Sequence, residues 1–120
     1  MTRPLAVKLT CGAEAPERAN QALTVAGAAV TAGAEVSLWL TGDAVWFGVA
    51  DRVPDLGLAH ATPAADLVEA VRAGGSITVC SQCAARRSLT EADLVDGARI
   101  AGAVAFAELV LRDDVQALVY

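Results

Sequence analysis

Ser76-Ile77-Thr78-Val79-Cys80-Ser81-Gln82-Cys83-Ala84-Ala85-Arg86-Arg87 begins as a strand and ends in chemistry. A short β-branched run, opened by Gly74-Gly75, stops at one cysteine, and a second follows three residues later beside two arginines. The run predicts a buried strand that delivers thiols to a loop. In open parallel sheets, ligands and reactive groups gather just beyond the carboxyl ends of the strands, where loops vary on a fixed support. Cys80 is expected at such an end.

Outward from this stretch, strands and helices alternate. Leu5 to Leu9 reads as a buried strand ending at Thr10-Cys11-Gly12, and Glu35 to Leu40 as a second, with Trp39 facing away from Leu38. Pro16 to Ala32 predicts a helix, with proline in its first turn, Glu17 at the positive end of the dipole and Gly33 as its stop. Ala19, Ala22, Leu23, Ala26 and Val30 form its apolar stripe. Val25, Ala28 and Ala32 widen that stripe, as expected of a helix covered on two sides. Asp43 is expected to cap a short helical turn through Ala44-Val45-Trp46-Phe47-Gly48, with Trp46 and Phe47 in the core, a pocket or a subunit contact. Asp51 to Pro63 reads as a loop with room for a short strand, and Ala64 to Arg72 as a helix stopped by Gly74-Gly75. Thr90 and Asp93 predict a further helix entrance, Ala98 to Ala101 a weak strand, Ala103 to Val110 an amphipathic helix and Val115 to Tyr120 a last strand. Alternation without hairpin signals such as Asn-Gly implies a mostly parallel five-stranded sheet covered by helices on both faces.

A chain of 120 residues is expected to form one domain over residues 1–120. Hydrophobic residues make up 55% and charged residues only 19%, so part of the apolar surface is expected against another subunit. Nine basic residues against 14 acidic ones leave a net charge of -5, which repels nucleic acid and anionic lipid. No apolar run reaches the roughly 18 residues of a membrane span, and the first residues carry no secretory pattern. These features predict a cytoplasmic protein, in which Cys11, Cys80 and Cys83 stay mainly as thiols with reactive roles.

A thiol attacks as its thiolate, so a reactive cysteine needs an environment that favours the anion. A helix turn starting near Ala84 would offer amide groups to Cys80 or Cys83, and Arg86 and Arg87 would add positive potential. The competing account treats the cysteines as small core hydrophobes and the arginines as a solvated face. Cys80-Ser81-Gln82-Cys83 also has the spacing of a dithiol redox motif. Unlike thioredoxins, it has no Gly-Pro in the turn and no proline after it, since Pro4, Pro16, Pro54 and Pro63 all precede Cys80. Cys11, Cys80, Cys83 and His60 could make a zinc set, but two of the four stand isolated in sequence, so neither a metal nor a cofactor is expected. His60 reads as a loop histidine. Cys11 and Gly12 end a strand on the same sheet edge as Cys80 and are candidate supporting residues, although no Gly-rich phosphate signature accompanies them.

The order of these pieces resembles the DsrE/DsrF-like sulfur-relay family, which includes the TusD-type sulfur carriers. The resemblance runs through Ala15-Pro16-Glu17-Arg18-Ala19, Gly33-Ala34-Glu35-Val36-Ser37-Leu38-Trp39-Leu40 and Gly42-Asp43-Ala44-Val45. It continues through Cys80 after the third strand and Leu94-Val95-Asp96-Gly97-Ala98-Arg99-Ile100-Ala101-Gly102 before the last helix. It implies a Rossmann-like α/β/α sandwich, assembly into trimers or hexamers, and a cysteine, here Cys80, that carries sulfur as a persulfide. Cys83 lies outside the general pattern of the family.

Taken together these features predict a small sulfur carrier or sulfurtransferase-like protein. Cys80 accepts sulfane sulfur from a donor protein for an acceptor, Cys83 assists or resolves, and Arg86 and Arg87 stabilise the anionic sulfur. A dithiol redox or peroxide-responding protein using Cys80 and Cys83 is the alternative, and a non-catalytic oligomeric binding module the third.

Overall fold

The computed structural model describes residues 3–120. Five strands, β1 (Leu5–Leu9), β2 (Val36–Leu40), β3 (Ser76–Cys80), β4 (Arg99–Ala101) and β5 (Gln116–Val119), form one sheet in the order β4-β3-β2-β1-β5. Every pairing is parallel. Parallel neighbours need crossovers, and right-handed crossovers that step in one direction keep their helices on one face. The steps from β1 to β2 and from β2 to β3 therefore put α1 (Pro16–Thr31) and α2 (Ala64–Gly74) on the same side. The return from β4 to β5 carries α4 (Ala103–Val110) to the other side, so the sheet is the middle of three layers.

The two faces differ in chemistry. Toward α1 and α2 the strands send Val7, Leu9, Val36, Leu38, Leu40, Ile77 and Val79, all buried. They meet Ala19, Ala22, Leu23 and Ala26 of α1 and Val68 and Val71 of α2, with Phe47 fully enclosed between the sheet and the loop after β2. The small residues of α1 let the two helices approach closely, and Gly27 sits beneath Leu67. Alternation sends Lys8, Ser37, Trp39, Ser76, Thr78, Cys80 and Arg99 to the opposite face. There α4 lies over Trp39 through Phe106, ring centroids 5.2 Å apart at 73°, and contributes no buried residue of its own.

Several expectations are corrected. The second face of α1 is uncovered, since Ala28 and Ala32 are exposed. The turn after β2 is a 3₁₀ stretch, Gly42–Gly48, whose N-cap is Thr41; Asp43 lies inside it and does not cap it. Residues 51–63 form no strand, and the chain turns there through left-handed Asp51 and His60, with φ of 61° and 62°. Thr90 and Asp93 do form a capping box, with the Thr90 amide donating to Asp93 Oδ2 at 2.8 Å, but only over the single 3₁₀ turn Glu91–Asp93. Val95 then donates to Gly48 O at 2.8 Å, which pulls the chain back toward the sheet before a longer helix can form.

Candidate functional site around Cys80

The helix after β3 starts earlier than its sequence suggests. α3 spans Ser81–Arg86, so the thiols are not on a loop: Cys80 is the N-cap residue and Cys83 lies within the first turn. Cys83 is accordingly buried, 8% exposed, whereas Cys80 is partly open. An N-cap side chain faces the amides at the second and third helical positions, which have no carbonyl partner within the helix. Here those amides belong to Gln82 and Cys83.

The ionisation of Cys80 is set by five effects, one opposed to the other four. Burial alone pushes its thiol up. The Cys83 amide, the Cys83 thiol, the Gln82 amide and the Lys8 ammonium outweigh it and hold Cys80 below the ordinary thiol value of 9.0. Lys8 reaches this point because β1, β2 and β3 are neighbours, and its Nζ also lies 4.7 Å from the centre of the Phe106 ring. Lys8, Trp39, Thr41, Cys80, Gly102 and Phe106 border a recess of about 40 Å³. At one water per ~10–15 Å³, such a space holds only a few small groups beside the sulfur.

Cys83 has its own polar surroundings. The amide of Gly42 donates to Cys83 Sγ at 3.2 Å, and Arg86 Nη1 lies 4.0 Å from the same sulfur. Arg87 is directed elsewhere: Nη2 pairs with Asp43 Oδ1 at 2.7 Å, and Nη1 donates to Cys83 O at 3.0 Å. It ties α3 to the loop after β2. Of the two arginines, then, Arg86 faces a sulfur, and that sulfur is Cys83, while the cation acting on Cys80 is Lys8.

Cys11 and Gly12 share the carboxyl edge of the sheet with Cys80 but sit apart from it, since β2 separates β1 from β3. Cys11 is 5% exposed, donates weakly to Ala15 O at 4.0 Å, and is pushed above the ordinary thiol value by burial, against the nearby Arg18. Gly12 has a packing role: a Cβ there would stand 2.6 Å from Asp43 O. Its amide donates to both carboxylate oxygens of Glu14, at 2.8 and 3.0 Å. His60 is exposed and borders a different hollow with Glu17 and Gln21, and among the described residues no three His, Cys, Asp or Glu side chains gather as a metal site.

Lys8 and the Gly42 amide were not expected from sequence. The signal for Lys8 was a single charge near the carboxyl end of an otherwise apolar strand, on the face opposite Val7 and Leu9. A DsrE/DsrF-like family model matches residues 5–116. The chain belongs to the DsrE/DsrF-like family. Among solved structures, this family member is similar to the ychN protein from E. coli, with a TM-score of 0.82 at 20% identity over 99% of this chain and 100% of that one. It is also similar to MTH1491 from Methanobacterium thermoautotrophicum, described as a protein of unknown function, with a TM-score of 0.66 at 10% identity over the whole of both chains. At such identities these likenesses establish the fold, a largely parallel α/β sheet of the DsrE kind. No curated protein matches the chain in sequence.

Proposed function

We propose that this DsrE/DsrF-like protein is a sulfur carrier of the sulfur-relay type, with Cys80 as the atom that holds the cargo. The observation that carries the reading is the contrast between two thiols on one sheet edge. Cys80 is partly open, lies at a helix N-terminus near a lysine and is held below the ordinary thiol value, whereas Cys11 is sealed and pushed above that value by burial. A thiolate of this kind attacks the sulfane sulfur of a donor, forms a Cys80 S–S bond and expels the remainder of the donor as an anion. The persulfide anion so formed is favoured by Lys8.

The test is mass spectrometry of the reduced protein after exposure to a sulfane-sulfur donor. A one-sulfur gain mapped to Cys80 in Cys83→Ser, and absent when Cys80 is replaced by serine as well, is the expected result; no gain, or gain on Cys11 alone, removes the proposal. The competing dithiol redox reading draws support from the placement of Cys80 and Cys83 at the N-cap and the third position of α3, one helical turn apart. Reversible loss of two hydrogens on peroxide treatment, requiring both cysteines, with no sulfur uptake by Cys83→Ser, would favour it.

Assembly into trimers or hexamers, a single functional domain, cytoplasmic residence and partner proteins that donate and accept sulfur belong to the same proposal. In its support, Val104, Leu111 and Val119 are 73%, 79% and 65% exposed around α4, an apolar surface suited to a second subunit. Among the described residues no helix is long and apolar enough to cross a membrane.

A further inference from the structure

Among the groups of α3 nearest to Cys80 in sequence, Cys83 carries a thiol. A purely structural cysteine sits among aliphatic groups, as Cys11 does, with its thiol turned to a carbonyl. Cys83 instead receives the Gly42 amide at 3.2 Å and has the Arg86 guanidinium at 4.0 Å, so its buried sulfur has polar neighbours from two separate segments. Its position also fits bond formation with Cys80. The N-cap and the third residue inside a helix are one turn apart, with Cα atoms ~5 Å from each other by helical geometry. Disulfides take Cα separations of about 4.4–6.8 Å. Cys80 and Cys83 occupy those two positions of α3. No other cysteine competes, because Cys11 follows β1, and β2 stands between β1 and β3.

We propose that Cys83 discharges the sulfur carried on Cys80, so that the protein releases hydrosulfide. This rests on the persulfide reading of Cys80. The Cys83 sulfur attacks Cys80 Sγ, the inner atom of the persulfide. The Cys80–Cys83 bond forms, the bond to the outer sulfur breaks, and that sulfur leaves with the Cys83 proton as HS⁻. The carried sulfur is reduced by two electrons, and the two cysteines supply them in becoming a disulfide. A dithiol reductant then restores both thiols by exchange. The Gly42 amide and Arg86 act on the attacking sulfur, whereas Lys8 stands by the recess in which the departing anion forms. The same pair thus gives the protein two fates for its cargo: transfer when an acceptor thiol arrives first, release when Cys83 attacks first.

Sodium methanethiosulfonate is a suitable probe, since it gives up its outer sulfur and leaves as methanesulfinate without itself producing sulfide. Full-length wild-type protein and Cys83→Ser, both fully reduced and freed of reductant, are treated anaerobically and followed by intact mass, peptide mapping and sulfide assay. Wild type is expected to release a stoichiometric pulse of sulfide and to end with a Cys80–Cys83 link. Cys83→Ser is expected to retain a one-sulfur gain on Cys80 and release none. A wild-type chain that holds its added sulfur as long as Cys83→Ser does overturns the discharge step and leaves the carrier reading intact. If neither chain takes up sulfur on Cys80, both fall. Should serine disturb the buried site, Cys83→Ala provides the same comparison with an apolar side chain of smaller size.

Discussion

Gly12 and Gly27 are both buried, yet alanine should act on them with opposite sign. A Cβ at Gly12 would stand 2.6 Å from Asp43 O and 2.9 Å from Asp43 C. Both are main-chain atoms, so no side chain can swing aside, and the loop after β2 must retreat by about 0.8 Å to reach ordinary contact at 3.4 Å. Overpacking of this sort costs ~1–3 kcal/mol. At Gly27, inside α1, the nearest atom to a new Cβ is Leu67 Cδ2 at 3.6 Å, an ordinary contact, and alanine removes the entropic cost of a helical glycine, worth roughly 0.5–1 kcal/mol. The two substitutions should therefore differ by about 1.5–4 kcal/mol in urea denaturation under reducing conditions. Because Gly42 precedes Asp43 in the displaced loop, its 3.2 Å contact with Cys83 should change as well. Equal midpoints for the two variants, or loss of stability at Gly27 with none at Gly12, would refute the argument that the two loops at the sheet edge are in rigid contact.

Cys80 should alkylate with an inflection below 9.0 and Cys11 with one above it; Lys8→Met should move the Cys80 inflection upward, as followed by mass-resolved alkylation against pH. The same downward shift means that ionised Cys80 favours the folded state: its contribution is present above the ordinary value of 9.0 and lost as pH falls through the folded value, so Cys80→Ser should lose more stability at alkaline pH than at neutral pH. Phe47→Ala empties a fully enclosed site and should cost ~3–5 kcal/mol in the same denaturation assay. Asp43→Asn removes an ion pair whose carboxylate side chain is 53% exposed, so its cost should stay below about 1 kcal/mol.

The sheet was legible because its strands carry local signals: the β-branched Ile77-Thr78-Val79 run and the alternation around Leu38 and Trp39 place β3 and β2 without reference to the rest of the chain. The helical start at Ser81 was not. Cysteine is not one of the usual N-cap residues and no proline marks the first turn, so nothing local distinguishes Ser81 from Ala84 as the first helical residue. That shift of three residues moved Cys83 from an expected loop into the core. The roles of Lys8 and Gly42 depend on strand order and on the packing of one loop against another, which are properties of the whole fold. Arg86 and Arg87, adjacent in sequence, diverge in space because neighbours on a helix point about 100° apart, and one met a sulfur while the other met Asp43.

The unequal cladding of the sheet has a kinetic corollary. Segments with few enclosed apolar groups open at a small fraction of the global unfolding free energy. In an isolated chain, α4, with none of its eight residues buried, should exchange its amides well before α1 does. Phe106, Gly102 and Ala103 also roof the recess beside Cys80. Fraying of this outer layer and admission of a bulky reagent to the sulfur are therefore the same physical event, and a neighbouring subunit seated on α4 would throttle both together.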